Sequence, residues 1–151
     1  MSVFTDAEIA YLTDGTLGRL ATVGTNGQPH VIPVTFHFNV DEDAIDIGGV
    51  DFAAGKTWRD MQGNRRVTFL VDDTRREPPP PTARAIEIRG TAELHETGGN
   101  TINPRFPSFV NEFVRIRPTR IVAWGIDGEG YGPDGLRTNA RSVGPADVGT
   151  S

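Results

Sequence analysis

The segment from Ala83 to Glu96 alternates apolar and polar side chains over a run longer than most β-strands. One face would carry Ile86, Ile88, Gly90, Ala92 and Leu94, and the other Glu87, Arg89, Thr91, Glu93 and His95. A strand of this length has to coil or bend, and a glycine in its middle is typical of a barrel corner. Gly90 is therefore predicted to mark a kink in a curved antiparallel sheet.

Shorter strands are predicted on both sides of this one. They cover Leu17–Val23, Gln28–Phe38, Ala44–Gly49 and Arg66–Asp72, and a final strand pair interrupted by Pro118 covers Phe113–Ile126. Gly24-Thr25-Asn26-Gly27 is a strong hairpin signal between the first two strands. Because closure removes exposed strand edges, we expect a mainly β fold with short helices, built as a closed or split antiparallel β-barrel.

Three short helices are predicted around these strands. The first is capped by Thr5 and Glu8 in a capping box and ends at Asp14-Gly15, the second ends at Gly63, and a single turn covers Ser108–Glu112. Residues 1–127 are expected to form one domain. Residues 128–151 are rich in glycine and proline, so we expect a tail that is loose or ordered by a partner chain.

The composition excludes several classes of protein. The net charge of -5 and the pI near 5.1 argue against a nucleic-acid partner, which would require a basic surface. The absence of cysteine removes disulfides, thiolate metal sites and cysteine nucleophiles. No apolar run approaches the length of a membrane span, and no leader-like segment begins the chain, so we expect a cytoplasmic protein without a membrane partner.

Common catalytic arrangements are also missing. His30 and His37 are predicted on opposite faces of one strand, which argues against a histidine metal site. There is no G-x-S-x-G motif of a serine hydrolase and no G-x-G-x-x-G motif of a dinucleotide fold. The sequence therefore nominates no metal ligand and no catalytic acid or base.

One concentrated feature remains between residues 45 and 57. The sequence Ile45-Asp46-Ile47-Gly48-Gly49-Val50 leads to Gly55-Lys56-Thr57 at a predicted helix start, and Lys56 is the only lysine. A nucleotide-binding P-loop would need glycine in place of Val50 and a parallel sheet. The helix N-terminus, the Lys56 ammonium and the Thr57 hydroxyl could still bind an anion. The alternative is a solvated lysine at a helix start.

The order of motifs along residues 5–127 resembles that of a known family. It runs from the Asn-Gly hairpin through P-V-T-F-H-F, I-D-I-G-G and G-K-T-W-R-D-M to R-R-V-T-F-L-V-D-D. This order resembles the pyridoxamine 5'-phosphate oxidase-like split β-barrel family, whose fold is FMN-binding-like, and in particular its deazaflavin branch, which uses coenzyme F420.

The resemblance implies a homodimer with two cofactors in grooves at the shared interface. It assigns Lys56 to the cofactor phosphate, with Thr57 and Arg59 as neighbours. It also places the ring system of the cofactor along strand 2, at Pro33, Val34, Thr35 and Phe36. Trp124 is assigned a place near the pocket across the dimer, and Gly48 and Gly49 are further expected cofactor-binding residues. Relatives often carry a second basic residue just before the lysine. Here Ala54 and Gly55 stand there, so Arg59 or an arginine of the partner chain would have to substitute.

The implied activity is hydride transfer from reduced F420 to an unsaturated or quinone-like small molecule. Two alternatives stay open from the sequence. One is an FMN-dependent reductase or oxidase on the same barrel, and the other is a non-catalytic protein that binds a flavin or a tetrapyrrole.

Overall fold

The structure is a computed structural model that describes residues 1–102, 109–126, 131–132, 135–136 and 138–144. It contains two α-helices and ten β-strands within these ranges. The helices are α1 (Asp6–Asp14) and α2 (Lys56–Gly63), and the strands are β1 (Leu17–Val23), β2 (Pro29–Thr35), β3 (His37–Asn39), β4 (Ala44–Gly48), β5 (Arg66–Arg75), β6 (Thr82–His95), β7 (Phe113–Trp124), β8 (Tyr131–Gly132), β9 (Gly135–Leu136) and β10 (Thr138–Ser142).

Eight strands form one curled antiparallel sheet, with the order β2-β1-β5-β6-β7-β4-β3 and β10 paired with β7 beside this path. Strands β8 and β9 form a separate two-stranded sheet. The two ends of this order are joined directly in the chain, because β2 ends at Thr35 and β3 begins at His37. The chain thus passes directly from one end of the sheet to the other at Phe36, and the curled sheet forms a half-barrel. This confirms the predicted mainly β, split-barrel architecture, and it excludes a P-loop because β4 pairs antiparallel with both β3 and β7.

The core fills the inside of the half-barrel. Phe69, Leu20 and Ile88 are fully buried at its centre, and the Phe36 ring packs edge-to-face on Phe69 with centroids 5.0 Å apart. Helix α1 closes one side with the buried Leu12. Its capping box is present as predicted.

The long strand β6 bends where it was predicted to bend. Its register with β7 shifts between Arg89 and Gly90, and Gly90 lies opposite Pro118. Sequence reasoning expected Pro118 to split the last segment into two strands. Instead β7 runs unbroken from Phe113 to Trp124, because Pro118 lies at the edge of a bulge, where the register with β6 skips Thr119.

Gly90→Ala should destabilise the fold. A Cβ at position 90 would lie 2.3 Å from the backbone oxygen of Arg117, which cannot move without disturbing the bulge. We expect a loss of about 1–3 kcal/mol in the free energy of unfolding, measured by urea denaturation. Gly49→Ala is the control, since its added Cβ would meet Phe52 at an ordinary 3.7 Å. Equal stability of the two variants would contradict this role of Gly90.

Three other expectations need correction. The segment predicted as one strand from Gln28 to Phe38 is divided at Phe36 into β2 and β3. The predicted turn Ser108–Glu112 is not helical over residues 109–112, and Ser108 lies outside the described residues. The segment 128–151 was expected to be loose or ordered by a partner, yet its strand β10 pairs with β7 of the same chain.

A buried ion pair fixes β10 to the first helix. The Arg141 guanidinium donates to both carboxylate oxygens of Glu8, which is fully buried, and to the carbonyl oxygen of Val3. Glu8 also accepts from the Thr5 amide in the capping box. The same carboxylate therefore caps α1 and anchors β10.

Candidate functional site

The predicted anion site lies where β4 leads into α2. A 3-10 turn over Phe52–Ala54 connects them, and Gly55 is the N-cap residue of α2. No side chain caps this helix end. The first-turn amides of a helix have no partner within it, so this end presents donors and the positive end of the helix dipole.

The Lys56 side chain bends toward a carboxylate one turn further along α2. Its Nζ lies 2.9 Å from Asp60 Oδ1 and 3.1 Å from Oδ2. Asp60 is buried, and its Oδ2 also accepts from the Thr22 hydroxyl at 3.0 Å. Lys56 itself stays nearly half exposed, with 44% of its side chain accessible. The ammonium is thus held in place while part of it remains open to a ligand.

The pKa of Asp60 is lowered from its ordinary value. The hydrogen bond from Lys56 is the largest lowering cause, followed by that from Thr22, and both oppose the raising effect of burial. A carboxylate with a lowered pKa stabilises the fold at pH values above its ordinary pKa of 3.8, and this stability is lost as the pH falls through the folded-state value.

Asp60→Asn should therefore make the free energy of unfolding depend less on pH in the acid range. We expect the wild-type free energy of unfolding to fall more steeply below about pH 4 than that of the variant. Urea unfolding at a series of pH values measures this difference. Asp41→Asn, a change at an exposed turn, serves as control and should keep the wild-type slope. If the free energy of unfolding of Asp60→Asn depends on pH as steeply as that of the wild type, the protonation of Asp60 is not coupled to folding.

The β1–β2 hairpin packs beside this cluster. A Cβ added at Gly24 would lie 2.9 Å from Asp60 Oδ1 and 3.3 Å from Lys56 Nζ. A Cβ at Gly63 would meet the Thr25 methyl at 3.3 Å, so the other end of α2 also approaches the hairpin. The backbone at position 24 thus approaches both members of the ion pair. The ammonium therefore lies between the helix start and the hairpin backbone.

The two neighbours assigned to Lys56 differ in exposure. Thr57 is buried, and its hydroxyl has no hydrogen-bond partner among the described residues. Arg59 is exposed and donates to the carbonyl oxygen of Ala54 at 3.3 Å. Both lie in the first turns of α2 with Lys56.

The four residues assigned to the ring system lie on and just after the edge strand β2. Val34 and Phe36 are buried in the core, so their side chains do not face outward. Pro33 is exposed and Thr35 is half-buried on the outer face. Since β2 is an end strand of the described sheet, its second edge offers unpaired backbone groups. The backbone and the outer face are what this segment can present to a ligand.

The other residues assigned to the cofactor are Gly48, Gly49 and Trp124, which are either packed against other segments or far from Lys56. Gly48 is buried, with Phe109 and Ile102 in contact range of an added Cβ, and the carbonyl oxygen of Gly49 accepts from the Val110 amide. Trp124 pairs with Ala85, at the opposite end of the strands from Lys56. The structure does not bring Trp124 and Lys56 together within one chain.

A cavity of about 520 Å³ opens beside β3 and β4. Its lining includes His37, His95, Asp46, Phe113 and Arg115. The His95 ring stacks on Phe113 with centroids 4.6 Å apart. Arg115 donates to both oxygens of the buried Asp46, at 2.8 and 3.1 Å. The cavity therefore combines aromatic surface with fixed polar groups, as small-molecule sites do.

Sequence reasoning missed this cavity and the partners of Lys56. Asp60 follows Lys56 by four residues, which is the spacing of ion pairs on one helix face, so a signal for it was present. No comparable local signal joins Asp46 to Arg115, which are brought together only by the pairing of β4 with β7. Among the described residues, no group of three or more histidine and carboxylate side chains could hold a metal ion.

Comparison with known proteins decides the family. The family profile described as pyridoxamine 5'-phosphate oxidase matches residues 4–103. The chain belongs to this family. It is also 43% identical over 126 residues to the 5a,11a-dehydrotetracycline/5a,11a-dehydrooxytetracycline reductase of Streptomyces rimosus, covering 83% of this chain and 86% of that protein. This member of the pyridoxamine 5'-phosphate oxidase family is an oxidoreductase, as the resemblance predicted.

Solved structures support the fold of this family member. A heme binding protein from Mycobacterium smegmatis superposes with a TM-score of 0.64 at 18% identity, covering 94% of this chain, which spans only 60% of that protein's length. An FAD binding protein from the same organism superposes with a TM-score of 0.58 at 19% identity, covering 82% of this chain and 96% of that protein. A protein described as F420 reductase superposes with a TM-score of 0.54 at 21% identity, covering 74% of this chain and 93% of that protein. None of the helices in the described ranges combines the length and apolarity that crossing a bilayer requires.

Proposed function

We propose that this protein is an F420H2-dependent reductase of an unsaturated polycyclic small molecule. The observation that carries the proposal is the position of the Lys56 ammonium, held half exposed at the uncapped start of α2 and beside the hairpin that leads into the edge strand β2. A phosphate and an attached flat ring can therefore occupy neighbouring parts of one surface.

The residues at α2 fit a phosphate group. The uncapped amides and the positive helix end favour an anion, and Lys56 adds a charge-assisted donor. The buried Thr57 hydroxyl, which lacks a partner among the described residues, could donate a further bond. The exposed Arg59 lies on the same helix and suits the acidic tail of F420.

The residues at β2 suit the deazaflavin ring. The free strand edge at Pro33–Phe36 can exchange hydrogen bonds with the polar rim of the heterocycle, while Pro33 and Thr35 offer a surface for its face. Such binding orients the ring without requiring a charged side chain. When bound, the reduced cofactor would supply the hydride, and the protein would supply orientation.

The cavity beside β3 is proposed as the place of the acceptor. His37 continues the outward-facing row that Pro33 and Thr35 begin, and it lines the cavity. The ring surface on β2 and the cavity beside β3 are therefore next to each other in the chain, on the two sides of Phe36. The Streptomyces rimosus relative is named for reducing dehydrotetracyclines, and a polycyclic substrate of that kind suits a cavity of about 520 Å³ lined by Phe113 and His95.

We also propose that two copies pair through the outer face of β1 and β2. Val31 is 64% exposed and Leu17 is 49% exposed on this face, and β2 leaves a strand edge unpaired in the described sheet. Large apolar side chains on a sheet face are typical of an interface. The mass in solution, measured by light scattering, should be that of a dimer, and a monomer at all concentrations would contradict this part of the proposal.

Two assays test the proposed activity. The protein is titrated separately with F420 and FMN, and its reduction of 5a,11a-dehydrotetracycline is followed with reduced F420 as hydride source. We expect tighter binding of F420 and turnover that depends on it. Tighter binding of FMN with FMN-dependent turnover would replace the proposal by a flavin reductase. Binding without turnover of any enone or quinone would indicate a carrier protein.

A further inference from the structure

The charge of Lys56 is already balanced within the protein. Its ammonium contacts both oxygens of Asp60, and the carboxylate remains ionised because its pKa is lowered. A lysine and an ionised aspartate together carry no net charge. An anion at this site would therefore benefit from a second cation, and neither Ala54 nor Gly55 before the lysine can provide one.

His30 lies next to this pair. It is the direct cross-strand partner of Thr22, whose hydroxyl donates to Asp60 at 3.0 Å. Side chains of cross-strand partners lie on the same sheet face, with Cβ atoms about 5 Å apart. His30 is half-buried and has no hydrogen-bond or ion-pair partner among the described residues. An electrostatic effect of His30 is also among the causes that lower the pKa of Asp60.

Two described elements bring polar groups to His30. Helix α2 brings the Asp60 carboxylate, which is bound to Lys56, and β1 brings the uncharged Thr22. Histidine is the side chain that gains a positive charge between about pH 8 and pH 5. Protonation would change the net charge of the three-residue cluster from zero to one positive charge.

We propose that His30 is the second cation of the phosphate-binding site, and that its protonation strengthens the binding of a phosphorylated cofactor. This inference rests on the proposed function, since it assigns a further binding residue to the same site. It replaces the expectation that Arg59 or an arginine of a partner chain fills the role of the missing basic residue. The ligand class is a phosphate ester or an equivalent oxyanion.

Binding measured against pH tests the proposal. The dissociation constant of F420 is measured by fluorescence titration at about pH 5.5 and about pH 8.5, which bracket the charge change of histidine. The variants are His30→Gln, which removes the charge, and His30→Arg, which fixes it. Arg89→Gln is the control, because it removes one charge at an exposed position of β6, where Arg89 pairs with Glu87. Comparing variants at each pH cancels the titration of the cofactor itself.

We expect the wild type and Arg89→Gln to bind F420 about three- to tenfold more tightly at the lower pH, the size of effect that one partly screened charge produces. His30→Gln should lack this gain, and His30→Arg should bind tightly at both values. Equal pH dependence in the wild type and His30→Gln would overturn the proposal.

A second probe separates this result from the proposed function. Sulfate keeps both negative charges over the whole range, and its binding is read as the rise in Tm relative to chloride at equal ionic strength. We expect a larger rise at the lower pH in the wild type than in His30→Gln. If F420 does not bind but sulfate behaves in this way, the cofactor assignment fails and the role of His30 stands. If sulfate shows no dependence on His30, the role of His30 fails.

Discussion

Lys56→Met is expected to weaken F420 binding about 10- to 100-fold, the effect of losing one charge-assisted hydrogen bond to a phosphate. The loss has a second cause, because the variant leaves the buried Asp60 carboxylate facing the anion without its counter-charge. Fluorescence titration of the purified variant with F420 measures the change. The Tm should fall as well, because the buried Asp60 then keeps only the hydrogen bond from Thr22 among the described residues, so circular dichroism first checks that the variant is folded at the titration temperature.

The matched control for this variant is Arg89→Met. It also removes one cation from the chain, but Arg89 is exposed on β6 and pairs with Glu87. Its F420 affinity should stay within about twofold of wild type, because surface charges at a distance are screened. An unchanged affinity in Lys56→Met, or an equal loss in both variants, would remove Lys56 from the site.

Arg115→Met is expected to destabilise the fold by about 3–5 kcal/mol, since it leaves a buried carboxylate without its ion-pair partner. Asp46 is fully buried, and it would keep only the hydrogen bond from the Asn39 side-chain amide. The Arg115 side chain is itself only 13% exposed, so water does not replace it readily. Urea denaturation, followed by circular dichroism, measures the loss.

Arg117→Met, on the same strand, is the control for this prediction. Arg117 pairs with Glu42 and Glu93, whose side chains are each 41% exposed. Its replacement should cost no more than about 1 kcal/mol, as for other surface pairs. Similar losses in both variants would show that burial of Asp46 does not determine the effect. If Arg115→Met does not fold, Asp46→Asn with Arg115 retained should be intermediate, because the amide carries no charge to leave unpaired.

The parts of the fold that the sequence predicted well rest on local signals. The capping box of Thr5 and Glu8, the Asn26-Gly27 hairpin and the alternation along β6 each depend on residues near one another in the chain. The errors at Phe36 and Pro118 have another origin. The separation of β2 from β3 and the continuity of β7 at Pro118 both depend on the strands that pair with these segments. The local sequence pattern does not show which strands will pair.

In the candidate site, too, the features that depend on neighbouring residues in the chain could be predicted, and those that depend on packing could not. Lys56 at a helix start could be read from the sequence, and the contact with Asp60 follows from helix geometry. The approach of Thr22 and His30 to that pair depends on how the hairpin packs on α2, which the sequence did not indicate. The placement of Pro33, Val34, Thr35 and Phe36 at a free strand edge also depended on the sheet order.

A crystal structure of the protein with F420 bound is the most direct test of the proposed site. We expect the phosphate within hydrogen-bond distance of Lys56 Nζ and close to His30, with the ring lying along the backbone of Pro33–Phe36. A phosphate bound elsewhere, with the space between α2 and the hairpin closed by protein side chains, would contradict it.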